Sequence, residues 1–301
     1  MKEMIKEIEK FKKEKNAIIL AHNYQRKEVQ EIADFLGDSL ELARKAVSLS
    51  ADVIVFAGVS FMAETAKILN PDKKVLLPEE SAYCEMAEMV DIKELKKLRE
   101  KYPNAAVVSY INTTAETKTL TDIVCTSANA VKIVESVPQK KIIFVPDKNL
   151  GTYVKKRTKK EIILYDGFCY VHHKLIMKKD IEKIRREYPD AHLMVHPETH
   201  EEIQEMADSI LSTGQMIKQA EKIKEKTIIV GTEIGMVDRL KKEFPEKNFV
   251  PLTMRAKCRG MKEITLESIL NSLKYDRYEI ILDKEVMEKA KIPIERMLKV
   301  K

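Results

Sequence analysis

One pattern recurs three times along the chain. An apolar run ends in a polar residue in AIILAHNYQ at His22, in AAVVSYINT at Tyr110 and in AHLMVHPET at His196. Tyr110 lies 88 residues after His22, and His196 lies 86 after Tyr110. Seventeen positions beyond each comes a small hydroxyl residue that opens a helix-period stretch: Ser39 in GDSLELARKA, Ser127 in CTSANAVKIV and Thr213 in LSTGQMIKQA. A second apolar run follows, as DVIVFAG, KIIFVPD and TIIVGTE, then an amphipathic helix, then a third run near KKVLLP, KEIILY and KNFVPL. One cysteine follows the third run in each copy: Cys84, Cys169 and Cys258. Order and spacing this constant mark an internal repeat.

Near-continuous Val/Ile runs separated by helices predict parallel sheets covered on both faces, hence an α/β fold of three-layer αβα units. The 301 residues would by length alone suggest about two domains of roughly 150 residues. The repeat instead predicts three homologous units about a pseudo-threefold axis, spanning 1–90, 91–176 and 177–262. The tail 263–301 is expected to complete the first unit, because a ring of three brings the ends together. Units this small lack mass for independent cores and should lean on their neighbours.

Composition narrows the function classes. No apolar stretch approaches the roughly 20 residues a membrane helix needs, and the start MKEMIKEIEKFKKEK reads as a charged amphipathic helix, so a cytoplasmic protein without membrane contact is expected. The net charge of +6 is spread along the chain as Lys/Glu mixtures and gives no footprint for nucleic acid. Lys155-Lys156-Arg157-Thr158-Lys159-Lys160 is the one dense basic run, and it falls where a helix should end. Four cysteines in a reducing compartment point to metal ligands or buried thiols rather than disulfides.

Ligands of open parallel sheets bind beyond the carboxyl ends of the strands. Three such ends carry His22-Asn23-Tyr24, Tyr110-Ile111-Asn112 and His196-Pro197-Glu198, which converge on one cavity if the units share an axis. Ser39, Ser127 and Thr213 stand at expected helix N-termini, where free N–H groups favour carboxylates or phosphates, or else each hydroxyl caps its own helix. Cys125 has no counterpart in the other units and reads as a core thiol. Cys84, Cys169 and Cys258, each in a loop, would meet at the axis. Three thiolates suit an iron–sulfur cluster with one open coordination site, or a zinc ion whose fourth ligand is water or a histidine such as His172. His22, His172 and His196 are candidates for binding or proton transfer, whereas His173, His192 and His200 read as surface or local-structure residues. Tyr24 and Glu198, each two residues beyond a histidine, are candidate acid and base. The function classes left open are an enzyme built on a cluster, a zinc or iron–sulfur redox sensor or scaffold, and a zinc hydrolase.

The segments AHNYQ, GDSLELARKA, SYINTTAETK, VCTSANA, PDKNLG, GFCYVH, VHPE, STGQM, GTEIGM and KCRGMK, in this order over nearly the whole chain, resemble the quinolinate synthase family of NAD biosynthesis. The resemblance implies a 4Fe-4S cluster on Cys84, Cys169 and Cys258, with the fourth iron open toward substrate. It implies condensation of iminoaspartate, supplied by an aspartate oxidase or aspartate dehydrogenase, with dihydroxyacetone phosphate to give quinolinate, phosphate and two waters. It carries substrate contacts onto His22, Ser39, Tyr110, Asn112, Ser127, His172, His196, Glu198 and Thr213. Catalytic roles fall on Tyr24, Glu198, His22 and His196. Two departures stand out. Thr199 occupies a position where many members carry cysteine, and Lys257-Cys258-Arg259 lacks the extra cysteines some members have, so disulfide-based redox control is not implied here.

Overall fold

The computed structural model describes residues 1–48 and 50–300. The first third forms strands β1 (Ala17–His22), β2 (Phe35–Gly37), β3 (Val53–Ala57) and β4 (Lys74–Leu76). The second forms β5 (Ala106–Tyr110), β6 (Ile123–Cys125), β7 (Lys141–Val145) and β8 (Glu161–Leu164), and the third β9 (His192–Val195), β10 (Ser209–Ile210), β11 (Thr227–Gly231) and β12 (Asn248–Pro251). Each set is a parallel four-stranded sheet, ordered β2-β1-β3-β4, β6-β5-β7-β8 and β10-β9-β11-β12. The fold is therefore α/β, with one architecture used three times, and a single large apolar cluster takes in Val55, Val108 and Val230, one from each copy.

Each sheet has one strand more than the three runs predicted. The additional strands β2, β6 and β10 are two or three residues long, too short to carry a readable periodicity. A short helix precedes each of them: Lys27–Ile32, Ala115–Thr119 and Glu201–Glu205. An aspartate then ties each short strand to the first: Asp34, Asp122 and Asp208 accept the backbone N–H groups of Ile19, Val107 and Leu193 at 2.8, 2.7 and 2.7 Å. Val107 is fully buried, so Asp122→Ala leaves a buried N–H without its acceptor. Asp122→Ala is expected to lower stability by about 1–3 kcal/mol, read as a drop in the denaturant midpoint; an unchanged midpoint would show the brace to be idle.

The helices that open near the cavity are capped from the position before the hydroxyl. Asp38 caps Ser39–Val47 and Ser212 caps Thr213–Ala220, each in a capping box. Ser39 and Thr213 are thus first helical residues rather than caps. Ser127 departs from the expectation: its helix begins only at Ala130, because Thr126 N–H and Oγ1 turn onto Asn129 Oδ1 at 2.7 and 3.2 Å and hold Ser127 in a turn.

The tail is shared between two sheets. Helix Leu266–Tyr275 packs on Lys2–Glu14 and β3, and residues 278–280 pair antiparallel with the edge of β4, while helix Lys284–Lys299 lies on Ala115–Thr119, β6 and Ser60–Leu69. The basic run closes and follows a helix, Lys148–Lys155, where Lys156 pairs with Glu201 and Glu205 of the third copy and Lys160 Nζ reaches the Val134 carbonyl at 2.7 Å. Among the described residues no helix is long and apolar enough to cross a membrane.

Candidate functional site

The carboxyl ends of β1, β5 and β9 open onto one cavity. Every residue singled out in the sequence for binding, catalysis or metal ligation lies on its wall, from His22 and Tyr24 through Cys84, Tyr110 and His172 to Glu198, Thr213 and Cys258. Contacts across the copies close it. Asn23 Nδ2 donates to Thr213 Oγ1 at 3.1 Å, and His196 Nε2 lies 3.2 Å from Ser127 Oγ. Gly235 is required where the third copy meets the first, because a Cβ there would stand 2.7 Å from the Tyr24 carbonyl oxygen and 2.8 Å from that of Gln25.

A chain of hydrogen bonds crosses the floor. Tyr24 Oη is 2.6 Å from Thr232 Oγ1, which is 2.8 Å from His172 Nε2. His172 Nδ1 is 2.7 Å from Glu198 Oε2, and Tyr110 Oη donates to Glu198 Oε1 at 2.6 Å. The rings of His172 and His196 stack at 4.7 Å. All of these side chains are buried, and burial shifts the titration of several groups on the wall. It drives the imidazoles of His22 and His196 down to about 3 against the pull of Glu198, so both are neutral. Burial, reinforced by Glu198, holds Tyr24 and Tyr110 well above the usual phenol range. Burial alone would raise Glu198, but the hydrogen bonds it accepts from His172 and Tyr110 hold it below the usual carboxylate range and keep it ionised. The Glu198 carboxylate thus stands beside the neutral imidazoles of His22 and His196 and the protonated phenols of Tyr24 and Tyr110.

Cys84, Cys169 and Cys258 line the same wall, and also border a second, smaller cavity. Cys169 and Cys258 are not simple loop residues: each is the N-cap of a short helix, Tyr170–Lys174 and Arg259–Glu263. In all three copies the sulfur accepts a backbone N–H from the residue three further on, Ala87, His172 or Met261. Burial raises all three thiols, Cys258 to about 12, and the neighbouring sulfurs add to the rise at Cys84 and Cys169. Half-buried sulfurs on one cavity wall with N–H donors aimed at them are a donor set that becomes thiolate around a soft metal centre, so these residues fit an iron–sulfur or thiolate-metal group. Among the described residues, Cys169, His172 and Glu198 also bring ligand-type atoms within 4.8 Å of one another. Cys125 is fully buried in β6, away from the cavity wall, and all four cysteines are free.

Residues 6–299 match the sequence profile of the quinolinate synthetase A protein. The chain belongs to that family. It is 55% identical over 300 residues to the quinolinate synthase of Pyrococcus furiosus, covering 99% of this chain and 98% of the relative. It is 54% identical to that of Thermodesulfovibrio yellowstonii, covering 98% and 97%, and 52% identical to that of Thermotoga maritima, covering 98% of each.

Within this member of the quinolinate synthetase A family, the cavity also uses residues the sequence reading passed over. Thr232, at the end of β11, joins Tyr24 to His172. Asp147 and Glu233 accept the backbone N–H groups of Cys169 and Cys258 at 3.0 and 3.1 Å. Lys262 Nζ bonds Glu233 at 3.0 Å and also the Tyr24 carbonyl, fastening the third cysteine segment to the tyrosine segment. Asp147 and Glu233 are 86 residues apart, the interval already found for the first strands, so reading the ends of the second strands against one another would have found them.

Proposed function

We propose that the chain is a quinolinate synthase. It condenses iminoaspartate with dihydroxyacetone phosphate to quinolinate, phosphate and two waters, using a 4Fe-4S cluster on Cys84, Cys169 and Cys258. The observation that carries this reading is the meeting of three equivalent cysteines, three strand ends and three hydroxyls on one cavity wall. Membership of the family, and the name its relatives carry, support it.

When bound, the cluster supplies an iron without a protein ligand, a Lewis acid for carboxylate or hydroxyl oxygens. The rest falls to the chain. Ser39, Ser127 and Thr213, with the N–H groups that the caps Asp38 and Ser212 leave free, take the carboxylates and phosphate of the substrates. Asn112 Oδ1, buried with no protein partner among the described residues, accepts from a substrate donor. Neutral His22 and His196 donate or accept without adding charge. Tyr24 moves a proton between carbon or oxygen of the substrate and the line through Thr232 and His172 to Glu198. Enclosure keeps water from the imine. Iminoaspartate reaches the protein from an aspartate oxidase or aspartate dehydrogenase.

The test is an anaerobic assay of reconstituted protein with both substrates, together with iron, sulfide and zinc analysis. Quinolinate and about four irons per chain are expected. One zinc with no sulfide, and no quinolinate, would overturn the reading and favour a mononuclear site at Cys169, His172 and Glu198.

A further inference from the structure

The spacing that relates the three copies also relates three buried side chains behind the strand-end loops. Gln30, Lys118 and Gln204 stand 88 and 86 residues apart, one on each of the short helices Lys27–Ile32, Ala115–Thr119 and Glu201–Glu205. All three are buried, Lys118 fully. Gln30 Nε2 donates to the carbonyls of Asn23 at 3.2 Å and Gln25 at 2.9 Å, and to Gly235 of the third copy at 3.0 Å. Gln204 Nε2 donates to the carbonyls of Pro197 at 2.9 Å and Thr199 at 2.8 Å. Each amide thus holds the residues on either side of Tyr24 or Glu198.

In the middle copy the same place is taken by a cation. Lys118 Nζ donates to the Thr113 carbonyl, on the loop that bears Asn112. Its ammonium lies 5.8 Å from the centre of the Phe61 ring and faces Glu64, whose Oε2 accepts the Ala115 N–H at 2.8 Å. Burying a lysine is costly unless its charge is met, and burial lowers this one to about 8 against the pull of Glu64. A residue this expensive to bury, at the position where the sister copies use glutamine on the same kind of loop, does the same structural work.

We infer that Gln30, Lys118 and Gln204 are positioning residues, each holding the carbonyls of its own strand-end loop so that Tyr24, Asn112 or Glu198 keeps its place on the cavity wall. The link to catalysis rests on the function proposed above; the bracing itself does not. None of the three lines the cavity, so they act through the loops and not on substrate.

The test uses cluster-loaded protein carrying Lys118→Met, Lys118→Gln or Gln204→Met, with amide hydrogen exchange, iron content and kcat as readouts. In Lys118→Met, exchange across residues 110–114 should quicken by at least about tenfold while residues 22–25 and 196–199 stay as protected as before. Its kcat should fall by at least about tenfold at unchanged iron content, because a small misplacement of a reacting group is expensive. Lys118→Gln, which recreates the brace of the sister copies, should return both within about threefold of the parent. Gln204→Met should loosen 196–199 instead. Unchanged exchange at 110–114 in Lys118→Met, or a Lys118→Gln variant as loose as Lys118→Met, would overturn the inference. A parent protein that makes no quinolinate, with loops that respond as described, would overturn the proposed function and leave the bracing standing.

Discussion

Cys84→Ser is expected to give a folded, colourless protein that makes no quinolinate. The three cysteines are equivalent in position, but their surroundings are not. Asp147 and Glu233 grip the backbone of Cys169 and Cys258, whereas the corresponding place in the first copy is Val59, which offers no acceptor side chain. The Cys84 segment is held instead by backbone, through Ser60 N–H to the Ala82 carbonyl at 2.8 Å. A serine oxygen is a hard, weakly acidic ligand in place of a soft thiolate, and nothing else on that segment compensates. Iron and sulfide should drop well below the parent, and quinolinate formation should fall beyond detection in the anaerobic assay. Cys125→Ala, which removes a core thiol in β6, serves as the control and should keep its iron. A colourless Cys84→Ser protein with full activity would defeat the cluster assignment outright.

What could be read in the sequence was whatever the repeat carried unchanged in kind. His22, Tyr110 and His196 and the hydroxyls recur at intervals of 88 and 86, the cysteines follow in the same order at 85 and 89, and these residues line one cavity. What escaped falls into three physical classes. The strands β2, β6 and β10 are too short to show a period. Thr232 was passed over because its partners Gly58 and Pro146, at the same place in the other copies, have no hydroxyl, so the position looked unremarkable. Lys118 hid because the repeat keeps the donor but exchanges glutamine for lysine, a conservation of hydrogen bonding that letter-by-letter comparison does not register. The caps tell the same story in reverse. Ser39 and Thr213 carry the residue type of a cap, yet Asp38 and Ser212 do the capping, which frees the two hydroxyls for the cavity.

Tyr24→Phe should lower kcat by about 10²–10⁴-fold, the range general acid–base catalysis supplies, while leaving iron content intact. The substitution removes one oxygen, and the consequences can be followed atom by atom. Thr232 Oγ1 loses its 2.6 Å partner but keeps His172 Nε2 at 2.8 Å, so the line from Thr232 through His172 to Glu198 survives with its outer end missing. The ring itself stays, still edge-on to His22 at 4.6 Å, so packing around the cavity is preserved and KM should change far less than kcat. Burial and the nearby Glu198 carboxylate keep the phenol protonated, so the parent enters the reaction with a proton ready to give and a path along which to recover it. A Thr232→Val variant tests the path separately from its end, because it leaves Tyr24 in place and severs it from His172. If both variants lose rate to a similar degree and the double variant loses little more, the two act as one unit. Full turnover by Tyr24→Phe would remove the tyrosine from proton transfer and move the role to the neutral imidazoles of His22 and His196.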